Sequence, residues 1–261
     1  MLDRLGYRGR RQWLGPWIPV WLVYRRGVII HLRFSRVLQL LRALSCCVGL
    51  LPIGAGAADT PLALVGSSTA AGVGASSPNS SWAGLLSSWQ VQTGRGRVLN
   101  LAEPGALTST GLCVKDRLVN SAPARSPRNS VETALALGSS RIILSFPSND
   151  LVAGWPASRT LENVARMAAC ARAAGATIAV MSSLPRAHLT PAQLKTMAEI
   201  NQALRQTYGA CFLDVHTALA DAGSIDARPE YSAGDGIHFN DEGHRVLYVQ
   251  VRDFLESGRC F

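Results

Sequence analysis

The residues Leu62-Ala63-Leu64-Val65-Gly66-Ser67-Ser68-Thr69-Ala70-Ala71-Gly72-Val73-Gly74 decide how this chain folds on paper. An apolar run gives way abruptly to Gly, Ser and Thr, the pattern of a buried strand ending in a tight turn. In an open α/β sheet such a turn lifts the residues past the strand's C-terminal end into the crevice where ligands bind. A serine there has its hydroxyl exposed and a helix start behind it. A small-residue linker has the same composition. Asp235-Gly236-Ile237-His238, near the other end of the chain, separates the two, because it offers that serine a base.

Outward from that turn the sequence alternates helical and strand-like periods. Residues 81–91 carry Trp82, Leu85, Leu86 and Trp89 at helical spacing, and 98–101 form a short strand before Glu103-Pro104-Gly105. Residues 108–119 are predicted helical, 121–129 a Pro/Ser/Arg loop, and 130–137 a short helix. The run Arg-Ile-Ile-Leu-Ser-Phe at 141–146 is the most strand-like in the chain and stops at Pro147-Ser148-Asn149-Asp150. An alanine-rich helix over 159–174 closes at Gly175. A strand at 177–181, a helix over 191–208, a strand at 211–215 and a last helix over 240–255 complete the pattern. Strands alternating with helices predict a parallel sheet covered on both faces. Each polar cluster follows a strand, so all should gather on one edge of the sheet.

A length of 261 residues supports one α/β domain with a sizeable core. The net charge of +9 is concentrated in residues 1–58, which hold nine arginines and a single acid, Asp3. The remainder carries 17 basic and 16 acidic residues. A nucleic-acid footprint needs basic residues on the folded domain, so no nucleic-acid partner is expected. Arginines up to Arg42 precede an apolar run at 43–53 and then Gly54-Ala55-Gly56-Ala57-Ala58. That order predicts a secretory signal peptide cleaved near Ala57 or Ala58, leaving 59–261 as a single domain in the periplasm or outside the cell. The apolar run is short for a membrane span; membrane attachment would require the leader to be kept as an anchor.

Beyond the leader lie Cys113, Cys170, Cys211 and Cys260, and an exported chain permits disulfides among them. Cys211 opens the last strand and Cys260 follows the last helix. Helices run antiparallel to strands in such a fold, so both ends sit at the bottom of the sheet, and these two should pair. The spacings fit no zinc motif, and no metal or other cofactor is expected.

A serine hydroxyl is a poor nucleophile until a base removes its proton. His238 can be that base, since imidazole titrates near neutral pH. Asp235, three residues earlier, can reach the other ring nitrogen and fix its tautomer. A tetrahedral oxyanion needs preorganised donors; the N–H of Ser68, the N–H of Gly105 and the side-chain amide of Asn149 are suitable types at strand ends. Glycine at 105 lets backbone approach a substrate with no Cβ in the way.

Taken in order, these clusters resemble the four blocks of the SGNH hydrolases, the esterase superfamily also called GDSL. Gly66-Ser67-Ser68 resembles the first block and makes Ser68 the nucleophile. Asn100 and Gly105 resemble the second, Pro147-Ser148-Asn149-Asp150 the third, and Asp235-Gly236-Ile237-His238 the fourth. Ser67 stands where the family has aspartate, and Pro147 or Ser148 where it has glycine. The resemblance implies a flavodoxin-like three-layer α/β/α fold with a five-stranded parallel sheet, in agreement with the strands counted above. It also implies metal-independent hydrolysis of esters or thioesters, with small-molecule, carbohydrate or lipid esters as substrates and O-acetyl groups on carbohydrate among them.

The alternatives are definite. Ser67 is the rival nucleophile, one residue away. Gly66-x-Ser68-x-Ala70 approaches the α/β-hydrolase elbow, but Ala70 breaks it, and Asp and His three residues apart is not that fold's arrangement. No Gly-Lys-Ser/Thr follows to make a phosphate loop. His188, His216 and His244 lack a partnered motif, and Trp155 and Tyr231 serve either the pocket or packing. An acyltransferase would use the same acyl-enzyme with a sugar hydroxyl in place of water. A non-catalytic carbohydrate-binding relative would have no need of Ser68, Asp235, His238, Gly105 and Asn149 together.

Overall fold

The computed structural model describes residues 60–116, 128–146, 148–221 and 226–261. The expected signal peptide, its cleavage site and most of the 121–129 loop lie outside the described residues. Five strands, β1 (Leu62–Gly66), β2 (Val98–Asn100), β3 (Arg141–Ser145), β4 (Thr177–Met181) and β5 (Phe212–Leu213), form one sheet. Their order is β2-β1-β3-β4-β5, and every adjacent pair is parallel. The helices are α1 (Ser68–Ala71), α2 (Trp82–Gln92), α3 (Val131–Ala136), α4 (Ser148–Val152), α5 (Ala157–Ala173), α6 (Pro191–Tyr208), α7 (His216–Leu219) and α8 (Asp241–Glu256).

Side chains alternate across the pleat with a period of two. Ala63, Val65, Ile142, Leu144, Ile178 and Val180 face one side, where α3, α5 and α6 cover them with Val131, Val164, Met167, Ile200 and Leu204. Leu62, Leu64, Ile143, Ala179 and Met181 face the other, under Trp82 and Leu86 of α2 and Leu247, Val251 and Phe254 of α8. Both phases of each strand are therefore apolar, which is why β1, β3 and β4 are continuous hydrophobic runs in the sequence. Burying one such Leu or Ile contributes about 1.5–3 kcal/mol, so the strands' placement follows from hydrophobicity alone. The result is the three-layer α/β/α arrangement with five parallel strands.

The helix starts have local causes. Thr190 and Gln193 form a capping box ahead of α6, with Pro191 at its first position. Ser81 accepts the Gly84 N–H ahead of α2, and Asn240 accepts the Gly243 N–H ahead of α8.

Three segments differ from the periodic pattern. Residues 108–119 do not form one helix: Thr108–Gly111 is a 3-10 turn, Leu112 leaves it extended, and residues beyond 116 lie outside the described part. Asp150 captures both the N–H and the hydroxyl of Thr108, and Gly111 packs so tightly on Met167 and Phe146 that a Cβ would collide with them. Helix α4 begins at Ser148, the third residue after β3, in the stretch where the strand was expected only to stop. Strand β5 is two residues long because Cys211 belongs to a 3-10 turn and Val215 donates its N–H to Ser182 Oγ rather than to the sheet. The Cys211–Cys260 disulfide is present, and a second joins Cys113 to Cys170.

Candidate active site

In this strand order β1 has β2 on one side and β3 on the other. The chain thus changes direction across the sheet between β1 and β3, and a crevice opens beyond their C-terminal ends. Ser68 is the second residue after β1; Asn149 lies four residues after β3. Gly66 ends β1 against Ser145, where a Cβ would lie 2.6 Å from the Ser145 carbonyl oxygen. Only glycine permits this close approach of the two strand ends.

Ser68 opens α1, so its N–H has no intrahelical acceptor. Its Oγ lies 2.8 Å from His238 Nε2, and His238 Nδ1 lies 2.5 Å from Asp235 Oδ2. A carboxylate only accepts, so Nδ1 carries the proton and Nε2 presents its lone pair to the serine hydroxyl. Asp235 Oδ1 accepts the backbone N–H groups of Ile237 and His238, each at 2.8 Å. Desolvation pushes the Asp235 carboxyl up, but these hydrogen bonds and the one from the His238 ring outweigh it and hold the group at about 2. The Asp235 side chain is 48% exposed and that of His238 16%, so the three groups stand at the protein surface. Ser67 is buried, its N–H bonded to the Ser145 carbonyl, with no hydrogen bond to either histidine nitrogen.

Asp235 and His238 reach Ser68 from a turn closed by two backbone bonds, Ala233 N–H to His238 and Asn240 N–H to Tyr231. His244 ties the opposite rim. Its Nε2–H donates to the Val73 carbonyl and its Nδ1 accepts the Trp82 N–H, so this fully buried imidazole is a neutral strut of the core. Asn100 holds the other end of α1 by donating to the Ala70 carbonyl.

Gly105 is exposed with φ +76° in the turn after β2, a conformation that favours glycine. Asn149 Nδ2 donates to the Ala106 carbonyl at 3.0 Å, one residue beyond Gly105. Asp150, fully buried, accepts from Thr108 and Thr160 and fixes the start of α4 to that same loop. Burial pushes its carboxyl up against these hydrogen bonds.

Two side chains that the sequence did not single out also act here. Asn129, fully buried, accepts the Gly66 N–H at 3.0 Å and donates to the Gly66 carbonyl at 2.8 Å, clamping the residue from which the Ser68 turn springs. Arg186 donates to Asn149 Oδ1 at 3.1 Å. Both lie in loops with no periodic signal. Of the aromatic candidates, Trp155 is covered by the Arg159 guanidinium at 3.6 Å, and Tyr231 packs on the α2/α8 core. A cavity of about 470 Å³ beside α1, lined by Gly72, Pro78, Gly84, Ser88 and Asn100 among others, contains none of Ser68, Asp235 and His238. Among the described residues no group of three His, Cys, Asp or Glu side chains is placed to hold a metal ion, and no helix is long and apolar enough to cross a membrane.

Comparison with known proteins bears on the fold and the family. Among solved structures the chain is similar to TesA (20% identity, 76% of this chain and 99% of that one, TM-score 0.56). It is similar to the psychrotrophic esterase EstA from Pseudoalteromonas sp. in a structure inhibited by monoethylphosphonate (15%, 76% and 98%, 0.57). A third is a member of the lipolytic protein G-D-S-L family from Veillonella parvula (14%, 74% and 97%, 0.55). At these identities the likeness establishes the fold. No curated protein sequence matches the chain. The model of the GDSL-like lipase/acylhydrolase family matches residues 64–246, from within β1 into α8, and the chain therefore belongs to that family and is a hydrolase acting on ester bonds.

Proposed function

We propose that this hydrolase is an exported serine esterase that cleaves small acyl esters, O-acetyl groups on carbohydrate among them, through Ser68, His238 and Asp235. The observation that carries this reading is the unbroken hydrogen-bond relay from Ser68 Oγ through the His238 ring to Asp235. Ser68 Oγ attacks the ester carbonyl carbon as its proton passes to His238 Nε2. Asp235 holds the imidazole tautomer and stabilises the imidazolium, without itself taking the proton. The oxyanion accepts from the Ser68 N–H, the Gly105 N–H and the second hydrogen of Asn149 Nδ2. Collapse breaks the ester C–O bond, the alcohol leaves with the proton from His238, and an acyl-Ser68 ester remains. Water, deprotonated by His238, then releases the acid and restores Ser68.

The surface position of the three groups favours esters carried on a bulky alcohol, which need not be engulfed. Export is supported by the two disulfides of the domain, since such bonds persist in oxidising compartments, and by the leader pattern. Hydrolysis of p-nitrophenyl acetate by Ser68→Ala, together with fluorophosphonate labelling of the parent, tests the assignment. Loss of turnover in a folded variant and a label on Ser68 are expected. Undiminished turnover, or a label on Ser67, refutes it.

A further inference from the structure

Asn149 offers the oxyanion a donor only if its amide nitrogen, not its oxygen, faces the crevice. In an asparagine the two ends have nearly the same shape, so its neighbours decide which way it points. On one side lies the Ala106 carbonyl, which only accepts, 3.0 Å from Nδ2. On the other lies Arg186, whose guanidinium only donates, 3.1 Å from Oδ1. A flipped amide would set NH₂ against guanidinium N–H and oxygen against carbonyl oxygen, so both contacts oppose the flip.

Arg186 is itself held in place. It lies in the loop between β4 and α6, half-buried, directly after the buried Pro185. Its neighbour Ala187 donates its N–H to the Gly236 carbonyl at 2.8 Å, inside the turn that carries Asp235 and His238. The loop thus fastens to the base-bearing turn and reaches across to the oxyanion side.

We infer that Arg186 is a positioning residue for the ester hydrolysis, fixing the orientation of the Asn149 amide and polarising it so that its free N–H is a stronger donor to the oxyanion. This rests on the proposed role of Asn149. A charge-assisted hydrogen bond to Oδ1 draws electron density from the amide nitrogen, and bonds in such a chain strengthen one another. Both effects are felt once negative charge develops on the substrate oxygen, so they belong to kcat and not to KM. Deleting one oxyanion donor costs about 10²–10³-fold in kcat. Removing only its anchor leaves the donor in place and the Ala106 contact still opposing the flip, so the loss should be smaller, about 10-fold.

The test is a double-mutant cycle on a neutral ester, p-nitrophenyl acetate, with Arg186→Met, Asn149→Ala and the pair. Arg186→Met should lower kcat about tenfold with KM unchanged, and should have no further effect once Asn149 is alanine. Arg186→Lys, which keeps a charged donor, should recover most of the loss. If methionine at 186 does not fold, Arg186→Gln takes its place in the same cycle. A kcat equal to the parent's, a loss confined to KM, or a loss undiminished in the Asn149→Ala background each overturns the inference while leaving the role of Asn149 intact. An Asn149→Ala variant with parental kcat sinks the oxyanion assignment first, and the role of Arg186 with it.

Discussion

Replacing Asp235 by asparagine should cost far more than the loss of one charge. Oδ1 of Asp235 accepts two backbone N–H groups, from Ile237 and His238. Asparagine must therefore keep its oxygen there, which turns its NH₂ toward His238 Nδ1. The ring then has to accept at Nδ1 and carry its proton on Nε2, facing Ser68 Oγ with the wrong atom. To escape, the amide would flip and give up both backbone bonds, each worth about 1 kcal/mol net. The wrong tautomer is thus favoured by about 2 kcal/mol, or roughly 30-fold in rate. The lost attraction between carboxylate and imidazolium adds about 1–2 kcal/mol for a pair this exposed, a further 5–30-fold. Together kcat should fall by about 10²–10³-fold, less than the 10⁴-fold seen for the same swap in serine proteases, where the aspartate is buried. KM should hardly move, and the loss should ease as pH rises and hydroxide partly replaces the base. Initial rates on p-nitrophenyl acetate and a melting curve, taken on the one variant, decide the matter. A kcat within threefold of the parent, with a lowered melting temperature, would mean that Asp235 only shapes the turn.

Asn129→Asp keeps the bond from the Gly66 N–H but sets a carboxylate oxygen against the Gly66 carbonyl in a fully buried site. We expect a loss of about 2–4 kcal/mol in denaturant titration together with a drop in turnover; unchanged values of both would show that the clamp is dispensable. His244 gives stability a pH dependence. Burial, first of all, lowers its pKa below the ordinary 6.5, so the unfolded chain binds a proton that the folded one resists. That stability is complete above the unfolded pKa and declines as pH falls through the folded one, whereas the contribution of Asp235, whose pKa is lowered from 3.8 to about 2, is present above 3.8 and is lost as pH falls from there toward 2. Melting temperature should therefore drop between pH 8 and 5 in the parent and less so in His244→Gln; parallel curves would contradict this. Cys113 and Cys170 are 57 residues apart. Replacing both by serine should cost about 2–4 kcal/mol through the freed loop, read as a lower denaturation midpoint. An unaltered midpoint would argue against that account.

How much of this was legible in the sequence differs by scale. Strand β4 at Thr177–Met181, a short apolar run buried on both faces of the sheet, and helix α6 at Pro191–Tyr208, which starts at a proline, follow from local rules and were readable to the residue. The Cys211–Cys260 pair followed from strand and helix polarity alone. Ser68, Gly105 and Asn149 could be named because each sits in a short cluster past a strand end, and the topology brings strand ends to one edge; Asp235 and His238, which stand 22 and 25 residues past β5 in the turn before α8, could be named from their own spacing of three. Asn129 and Arg186 gave no such sign. Their partners lie 63 and 37 residues away, and a single polar residue in a loop has neither period nor neighbour to mark it. The same holds for Cys113–Cys170, since an even count of cysteines permits many pairings. The sequence by itself therefore determined the layers and the types of group at the crevice, because hydrophobic period and turn chemistry are local. Tertiary structure alone decided which nitrogen faces Ser68 and which way the Asn149 amide points. Those follow from donors and acceptors brought within 3 Å or so across the sheet edge, at distances no local pattern encodes.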